Sequence, residues 1–116
     1  MLPECNRLRR ARDFQAVYRR GRSQANTFLV LYARQNRSEL VRIGYSIGKK
    51  VGGAVQRNRA KRRMREICRA ALPGMRRGFD LIFVGRAPMR DADFDALRDS
   101  AKGLMAHLGV ASFGPR

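Results

Sequence analysis

The first recurring pattern of apolar positions in the chain predicts a helix. Within residues 12–20, Phe14, Val17 and Tyr18 stand at i, i+3 and i+4, which places them on one helical face. Gly21 follows directly, and glycine is a frequent residue at the end of a helix. We therefore expect a first helix that ends next to this glycine.

Three later segments carry the pattern of strands. Residues 27–33 form a short apolar run, and residues 40–47 alternate so that every second side chain is apolar or aromatic. The polar residues 36–39 between them have the length of a hairpin turn, so we expect these two strands to pair antiparallel. Residues 79–84 are almost continuously apolar, which is typical of a strand covered on both faces.

Two more helices are predicted in the second half of the chain. Residues 54–72 carry a narrow apolar stripe that ends before Pro73. The stripe consists of Val55, Ala60, Met64, Ile67, Cys68 and Ala71. A last helix is expected to begin near Asp91 or Asp93, which are both suitable N-caps, and to end near Gly109.

Taken in order, these elements predict one α/β domain. The order is helix, two or three strands, helix, strand and helix, which favours a sandwich with a single sheet. No internal repeat, low-complexity tract or flexible linker divides the chain, so residues 1–116 are expected to form one domain. For two parallel neighbouring strands joined through a helix, the general rule predicts a right-handed crossover.

Charge changes this picture more than any other property of the composition. The 116 residues contain 26 Lys and Arg against 9 Asp and Glu, which gives a formal net charge of +17. A polyanion relieves such self-repulsion, and nucleic acid is the expected partner. A membrane surface is the weaker alternative, because the chain has no Trp and no apolar run long enough for a membrane span or a secretory signal. We therefore expect a cytoplasmic protein in which Cys5 and Cys68 are free thiols.

The positive charge is concentrated in the helix predicted at residues 54–72. Seven Arg and Lys lie in this segment, and only Glu66 offsets them. Like charges at i and i+4 repel each other by roughly 0.2–0.5 kcal/mol per pair, and an ordinary solvated helix face mixes both signs to avoid this. Arginine binds phosphate oxygens in a bidentate way, and Asn58 can donate and accept at a base edge or a ribose hydroxyl. This helix is therefore predicted to bind structured nucleic acid.

A second candidate surface is aromatic. Phe14, Tyr18 and Tyr32 lie in segments that also carry arginines, and flat side chains in basic surroundings stack on single-stranded bases. Helical and strand periodicity alone favours the other interpretation, in which all three are core residues. The residues by themselves leave both interpretations open.

Nuclease chemistry within the protein has little support. It would need a general acid and base, or clustered carboxylates that hold metal ions. The chain has one histidine, His107, and Asp91, Asp93 and Asp95 stand where carboxylates stabilise a helix N-terminus. We therefore predict neither a catalytic centre nor a firmly bound metal in this chain.

Three segments resemble one family, the protein subunit of bacterial ribonuclease P. The segment KKVGGAVQRNRAKRRMRE, residues 49–66, is similar to the arginine-asparagine-arginine helix that is the family's most specific motif. NRLRRARDFQAVYRRG and GYSIGKKVG are also similar, in the expected order and spacing, so the resemblance covers most of residues 6–85. Gly48 departs from the family pattern, in which serine is frequent at this position.

The resemblance carries expectations about fold and function. It implies a two-layer α/β sandwich of order αβββαβα, with one mixed four-stranded sheet and a left-handed βαβ crossover through the basic helix. It also implies a non-catalytic protein subunit of an endoribonuclease, whose catalytic RNA binds magnesium and removes the 5′ leader of precursor tRNA. The residues implied to face the catalytic RNA are Arg57, Asn58, Arg59, Lys61, Arg62 and Arg65. Those implied to line a cleft for the single-stranded leader are Phe14, Tyr18, Tyr32, Ser46, Lys49 and Lys50.

Other functions stay open on the composition alone. A ribosomal-type or RNA-chaperone protein, with no role in cleavage, can share the size and charge of this chain. A standalone nuclease and a DNA-compacting protein are further alternatives, although the resemblance implies catalytic RNA and precursor tRNA as partners, and neither DNA nor a membrane.

Overall fold

The helices and strands predicted from the pattern of apolar residues recur in the computed structural model, which describes residues 6–113. Within these residues the chain forms three α-helices, which are α1 (Ala11–Arg20), α2 (Ala54–Ala71) and α3 (Phe94–His107). It also forms four strands, which are β1 (Arg22–Ala25), β2 (Leu29–Gln35), β3 (Arg42–Ser46) and β4 (Phe79–Gly85). Short 3₁₀ helices follow β3, α2 and β4 at Lys49–Val51, Leu72–Gly74 and Ala87–Asp91.

The four strands form one mixed sheet in the order β1-β2-β4-β3. β2 is antiparallel to both β1 and β4, whereas β3 is parallel to β4. The α/β fold of order αβββαβα is therefore confirmed. Because α2 connects the parallel neighbours β3 and β4, it is the crossover helix of a βαβ unit. The left-handed sense of that crossover stays a prediction.

The expected hairpin between the segments at 27–33 and 40–47 is wrong, because β4 lies between β2 and β3. The residues between these strands wrap around the start of β4: the Asn36 amide donates to the Gly78 carbonyl at 2.8 Å, and the Gly78 amide donates to the Leu40 carbonyl at 3.1 Å. The physical reason is the apolar run in β4, which is buried on both faces only in a central position.

The sheet buries two apolar clusters of unequal size. α2 and α3 pack on one face over alternate residues of the strands, and this large core includes Leu31, Leu81 and Phe83, all 0% exposed. The predicted stripe of α2 contributes to it with one exception. Val55 is 79% exposed, so its assignment to the core is wrong; it lies in the first turn of α2, where residues 54–56 are all exposed.

α1 lies on the opposite face of the sheet. There Leu8, Val17 and Ile82 form a small buried cluster against which Phe14 and Tyr32 pack. Since one helix cannot cover a four-stranded sheet, part of this face stays open beside α1.

An ion pair between Arg42 of β3 and the buried Asp80 of β4 lies on this face and is close to Asp13 of α1. Asp80 is 2% exposed and accepts hydrogen bonds from Nε and Nη2 of Arg42 at 2.8 and 2.7 Å. Nδ2 of Asn36 donates to the same carboxylate at 2.8 Å, and Asp13 of α1 lies 3.6 Å from Nη1 of Arg42. The hydrogen bond and charge of Asp80 raise the pKa of Arg42 above its ordinary value, although burial opposes this.

Candidate nucleic-acid interface

The outward surface of α2 carries all six residues that the resemblance assigned to the catalytic RNA. Asn58, Arg59, Arg62 and Arg65 are exposed, whereas Arg57 and Lys61 are half-buried. In the described part of the chain, none of the five cations has an ion-pair partner. These six residues, which we call the α2 surface, therefore form an area of positive charge that the described protein does not neutralise.

Arg63 belongs to the same helix but has a different role. Its Nη1 donates to the Ala92 carbonyl at 2.8 Å, which braces α2 against the segment that leads into α3. The seven basic residues of the helix are thus not equivalent, and Arg63 is committed to the fold.

The N-terminal end of α2 adds to the positive potential. Gly53 is the N-cap residue, so no side chain accepts from the first amides, and the first turn contains no acid. Gly52 turns the chain into the helix with φ 147°, a conformation that side-chain-bearing residues rarely adopt. Further along, Nε of Arg57 is buried and donates to no described residue.

The three predicted aromatic residues meet on the sheet face beside α1. The rings of Tyr18 and Tyr32 are perpendicular, with centroids 4.9 Å apart, and the Phe14 ring lies 6.4 Å from that of Tyr18. Tyr18 is 39% exposed, whereas Phe14 and Tyr32 are half-buried. The core interpretation and the stacking interpretation therefore each describe part of this group.

Gly44 explains how Phe14 can lie on the sheet. A Cβ atom at position 44 would collide with Cζ of Phe14, so only glycine lets the ring rest directly on β3. This contact and the ion pair of Arg42 with Asp13 both join α1 to β3.

Beyond α1, a row of half-buried side chains lies on the open part of this sheet face, where the resemblance implies the leader cleft. Val30 of β2 is in register with Val84 of β4, which is in register with Ser46 of β3. Ser46 was predicted at this site, but the two valines were not. The sequence feature that could have identified these valines is the apolar run in β2 and β4. In a strand, alternate residues lie on the same face, so every second apolar residue of these runs lies on the face of α1.

Lys49 and Lys50 connect the cleft to α2. Both are exposed and begin the 3₁₀ helix between β3 and α2. Gly48 precedes them and also lies in the open, where a Cβ atom would meet nothing within 4 Å. The predicted cleft residues and the α2 surface are therefore joined by a short basic segment.

Apart from Glu66, the described acids have partners in ion pairs or a helix cap. Asp80 pairs with Arg42, Asp93 accepts from the Ala96 amide at 2.8 Å as the predicted N-cap of α3, and Asp95 pairs with Arg98. Residues 6–113 contain no group of three or more His, Cys, Asp or Glu that could hold a metal ion. Within the same range, no helix combines the length and the apolar character that a membrane span requires.

Cys68 offers no reactive thiol at the surface. It is a free cysteine with 0% exposure in the large core, and burial raises its pKa to about 12. The predicted free thiol is thus confirmed for this residue, whereas Cys5 lies outside the described residues.

Comparison with known proteins decides the family. A family model described as Ribonuclease P matches residues 2–109. This chain belongs to the ribonuclease P protein family. A ribonuclease P protein component of Clostridium botulinum (strain Langeland / NCTC 10281 / Type F) is 40% identical over 106 residues, which are 90% of this chain and 96% of that protein.

Solved structures of ribonuclease P proteins share the fold. The protein from Staphylococcus aureus superposes with a TM-score of 0.87 at 30% identity, and the match covers 94% of this chain and all of that one. The protein from Thermotoga maritima gives a TM-score of 0.77 at 32% identity, over 84% of this chain and 92% of that one. As a ribonuclease P protein, the chain is a subunit of an endoribonuclease ribonucleoprotein and has an RNA partner in the holoenzyme.

Proposed function

We propose that the α2 surface binds the catalytic RNA of ribonuclease P, and that the cleft beside α1 holds the 5′ leader of precursor tRNA. The protein would thereby assist the magnesium-dependent removal of the leader. The observation that carries this proposal is the set of exposed and half-buried cations on α2 that have no ion pair among residues 6–113, in a chain that belongs to this family. The whole chain, residues 1–116, then acts as one RNA-binding domain in the cytoplasm, where tRNA precursors are made.

Electrostatics supports the role of the α2 surface. Uncompensated cations at i and i+4 destabilise a helix, and contact with phosphates turns that repulsion into attraction. The buried Nε of Arg57 has no hydrogen-bond partner in the part of the chain that the structure describes, and buried donors in native proteins almost always have one. A phosphate oxygen at α2 would provide that partner.

The cleft is suited to a single strand rather than a duplex. We assign to it the partly exposed ring of Tyr18 and the half-buried row of Val30, Val84 and Ser46. A base stacked on an aromatic side chain contributes about 1–3 kcal/mol, and Lys49 and Lys50 can neutralise the phosphates beside it. Because only the precursor has a leader, these contacts favour the precursor over the mature tRNA.

Catalysis is assigned to the RNA in this proposal. All described acids except Glu66 are used in ion pairs or in helix capping, and phosphodiester cleavage needs an acid and base or metal ions at the phosphate. Magnesium is therefore expected to be bound mainly by the RNA, while the cations of α2 reduce the repulsion between the RNA phosphates.

A salt titration tests the assignment of the α2 surface. Arg59→Ala and Arg62→Ala should each lower the affinity for the catalytic RNA and reduce the slope of log affinity against log salt by about one per lost phosphate contact. Arg98→Ala is the matched control, because it removes one arginine that is paired with Asp95 on α3. Unchanged slopes for both α2 variants would contradict the assignment, as would equal binding of duplex DNA at physiological salt.

A further inference from the structure

A second group of arginines lines an open groove at one end of the sheet. The groove has a volume of about 560 Å³, and its arginines come from α1, β1, β2 and the segments that precede β3 and β4. Ala33, Gln35 and Phe79 complete the lining, to which no Asp or Glu of residues 6–113 contributes. We call the following five residues the arginine groove: Arg20, Arg22, Arg34, Arg37 and Arg76.

The arginine groove is separate from both RNA-binding regions of the proposed function. Gln35 and Phe79 are in register and mark the end of β2 and the start of β4. Lys49 and Lys50 lie at the opposite end of the sheet, because they follow β3 and β3 is parallel to β4. The α2 surface lies beside the edge strand β3, whereas Arg22 belongs to the other edge strand, β1. These two strands are three strand spacings apart, which is about 14 Å.

Two of the five arginines are held in place by main-chain contacts. Nη2 of Arg22 donates to the Leu108 carbonyl at 2.7 Å, and Nη1 of Arg76 donates to the Gly109 carbonyl at 3.1 Å. The guanidinium of Arg76 also lies over the Phe79 ring, 5.7 Å from its centroid. A guanidinium has five N–H groups, so both arginines can still donate to a ligand.

The other three arginines have no acidic partner. Arg20 and Arg37 are exposed and Arg34 is half-buried, and none of them has an ion pair among residues 6–113. A cation in the last turn of α1 is favourable for the helix, which accounts for Arg20 but for neither of the others. Because a solvated surface usually mixes both signs of charge, this single-signed group indicates an anionic ligand.

The lining favours the backbone of a double helix over a single strand. Phe79 is the aromatic residue of the groove, but it is 6% exposed and lies under Arg76, so it offers no face on which a base could stack. Arginines bind phosphate oxygens in a bidentate way, and the exposed amide of Gln35 can bond a ribose 2′-hydroxyl. Phosphates and 2′-hydroxyls are the groups by which proteins recognise double-helical RNA.

We propose that the arginine groove binds the backbone of a double-helical segment of the catalytic RNA, apart from the segment that lies on the α2 surface. The protein then bridges two segments of one RNA. The proposal rests on the proposed function, which supplies the catalytic RNA as partner. The leader is single-stranded and is not the occupant of this groove.

The first test is a salt titration of catalytic-RNA binding by the double variant Arg20→Gln and Arg37→Gln. Both side chains are exposed and unpaired within residues 6–113, so the melting temperature should not change. Loss of two phosphate contacts should reduce the slope of log affinity against log salt by about two, and the affinity by roughly 30-fold at 0.15 M salt. The control is Arg98→Gln with Lys102→Gln on α3, which removes the same charge and should leave the slope unchanged.

The second test is hydroxyl-radical footprinting of the catalytic RNA. Wild-type protein should protect two separate segments of the RNA. The groove variant should lose one protected segment and keep the other, and the variant Arg59→Ala with Arg62→Ala should show the reverse. Once the holoenzyme is fully assembled, the groove variant should bind precursor and mature tRNA with wild-type affinity.

The proposal is overturned if the groove variant keeps the slope and both protected segments of the wild type. It is also overturned if this variant binds the catalytic RNA normally but lowers the affinity of the assembled holoenzyme for precursor or mature tRNA, because the ligand would then be the tRNA. Failure of the proposed function gives a different result: the α2 variants keep the wild-type slope and protection, whatever the groove variant does.

Discussion

Replacing Tyr18 with alanine separates leader binding from protein stability. Tyr18 is 39% exposed, and its described ring contacts are the edge contact with Tyr32 at 4.9 Å and a more distant contact with Phe14. Loss of such aromatic contacts costs about 0.5–1.5 kcal/mol, compared with about 3–5 kcal/mol for truncation of a fully buried aromatic residue. The variant should therefore stay folded, with a melting temperature lower by only about 4 °C.

The effect on precursor binding should be larger than the effect on stability. If one leader base stacks on Tyr18, its loss removes about 1–3 kcal/mol, which is roughly 5- to 150-fold in affinity. Mature tRNA has no leader, so its affinity for the same holoenzyme should not change. The ratio of the two affinities is thus the quantity that reports the proposed role.

The assay is equilibrium binding of precursor and mature tRNA to holoenzyme assembled with wild-type or variant protein. Tyr18→Phe is the control, because it keeps the ring and should preserve the ratio. The reasoning is refuted if Tyr18→Ala lowers the affinities for precursor and mature tRNA equally, or if holoenzyme with this variant binds the precursor as tightly as wild-type holoenzyme does. Unfolding of the variant at room temperature would show that Tyr18 is a core residue despite its exposure.

Two predictions concern the protein without RNA. Asp80→Asn should lower the free energy of unfolding by about 3 kcal/mol in chemical denaturation, because it removes the charge of a buried carboxylate from its ion pair. Glu39→Gln is the control: it breaks an exposed ion pair and should lower the free energy of unfolding by about 0.5 kcal/mol or less, and equal effects of the two variants would contradict the role given to burial. In a Cys5→Ser background, Cys68 should react with a thiol reagent only as fast as the protein unfolds. Since its pKa rises from 9.0 to about 12 on folding, the unfolded state releases the proton first, so stability should fall as the pH increases through this interval, and a Cys68→Ala variant should lack this component.

The local pattern of the sequence predicted every helix and strand except β1, whose four residues are all exposed, because each of these elements depends on neighbouring residues. α1, α2 and β4 begin and end within two residues of the predicted bounds, and Asp93 caps α3 as expected. Strand pairing was not predicted correctly. The polar residues 36–39 have the composition of a hairpin turn whether β2 and β3 are neighbours or β4 lies between them. The double-sided apolar pattern of β4 was the signal that it belongs in the centre.

The site was predicted by residue type, but its construction depends on contacts far apart in the sequence. Nothing near Gly44 in the chain indicates that Phe14 rests on it, and the pairing of Arg42 with Asp80 joins residues 38 positions apart. The prediction that Val55 belongs to the buried stripe of α2 was wrong, because periodicity does not show where a helix extends beyond the core. Such long-range contacts appear only once the sheet order is known.

The central claim is that this protein assists an RNA catalyst by binding it. The most direct measurement is leader removal from precursor tRNA by the catalytic RNA at low magnesium, with and without the protein. We predict cleavage at the mature 5′ end in the presence of both components, little cleavage by the RNA without the protein, and none by the protein without the RNA. The claim would be contradicted if the protein left the RNA reaction unchanged, or if the protein cleaved the precursor unaided.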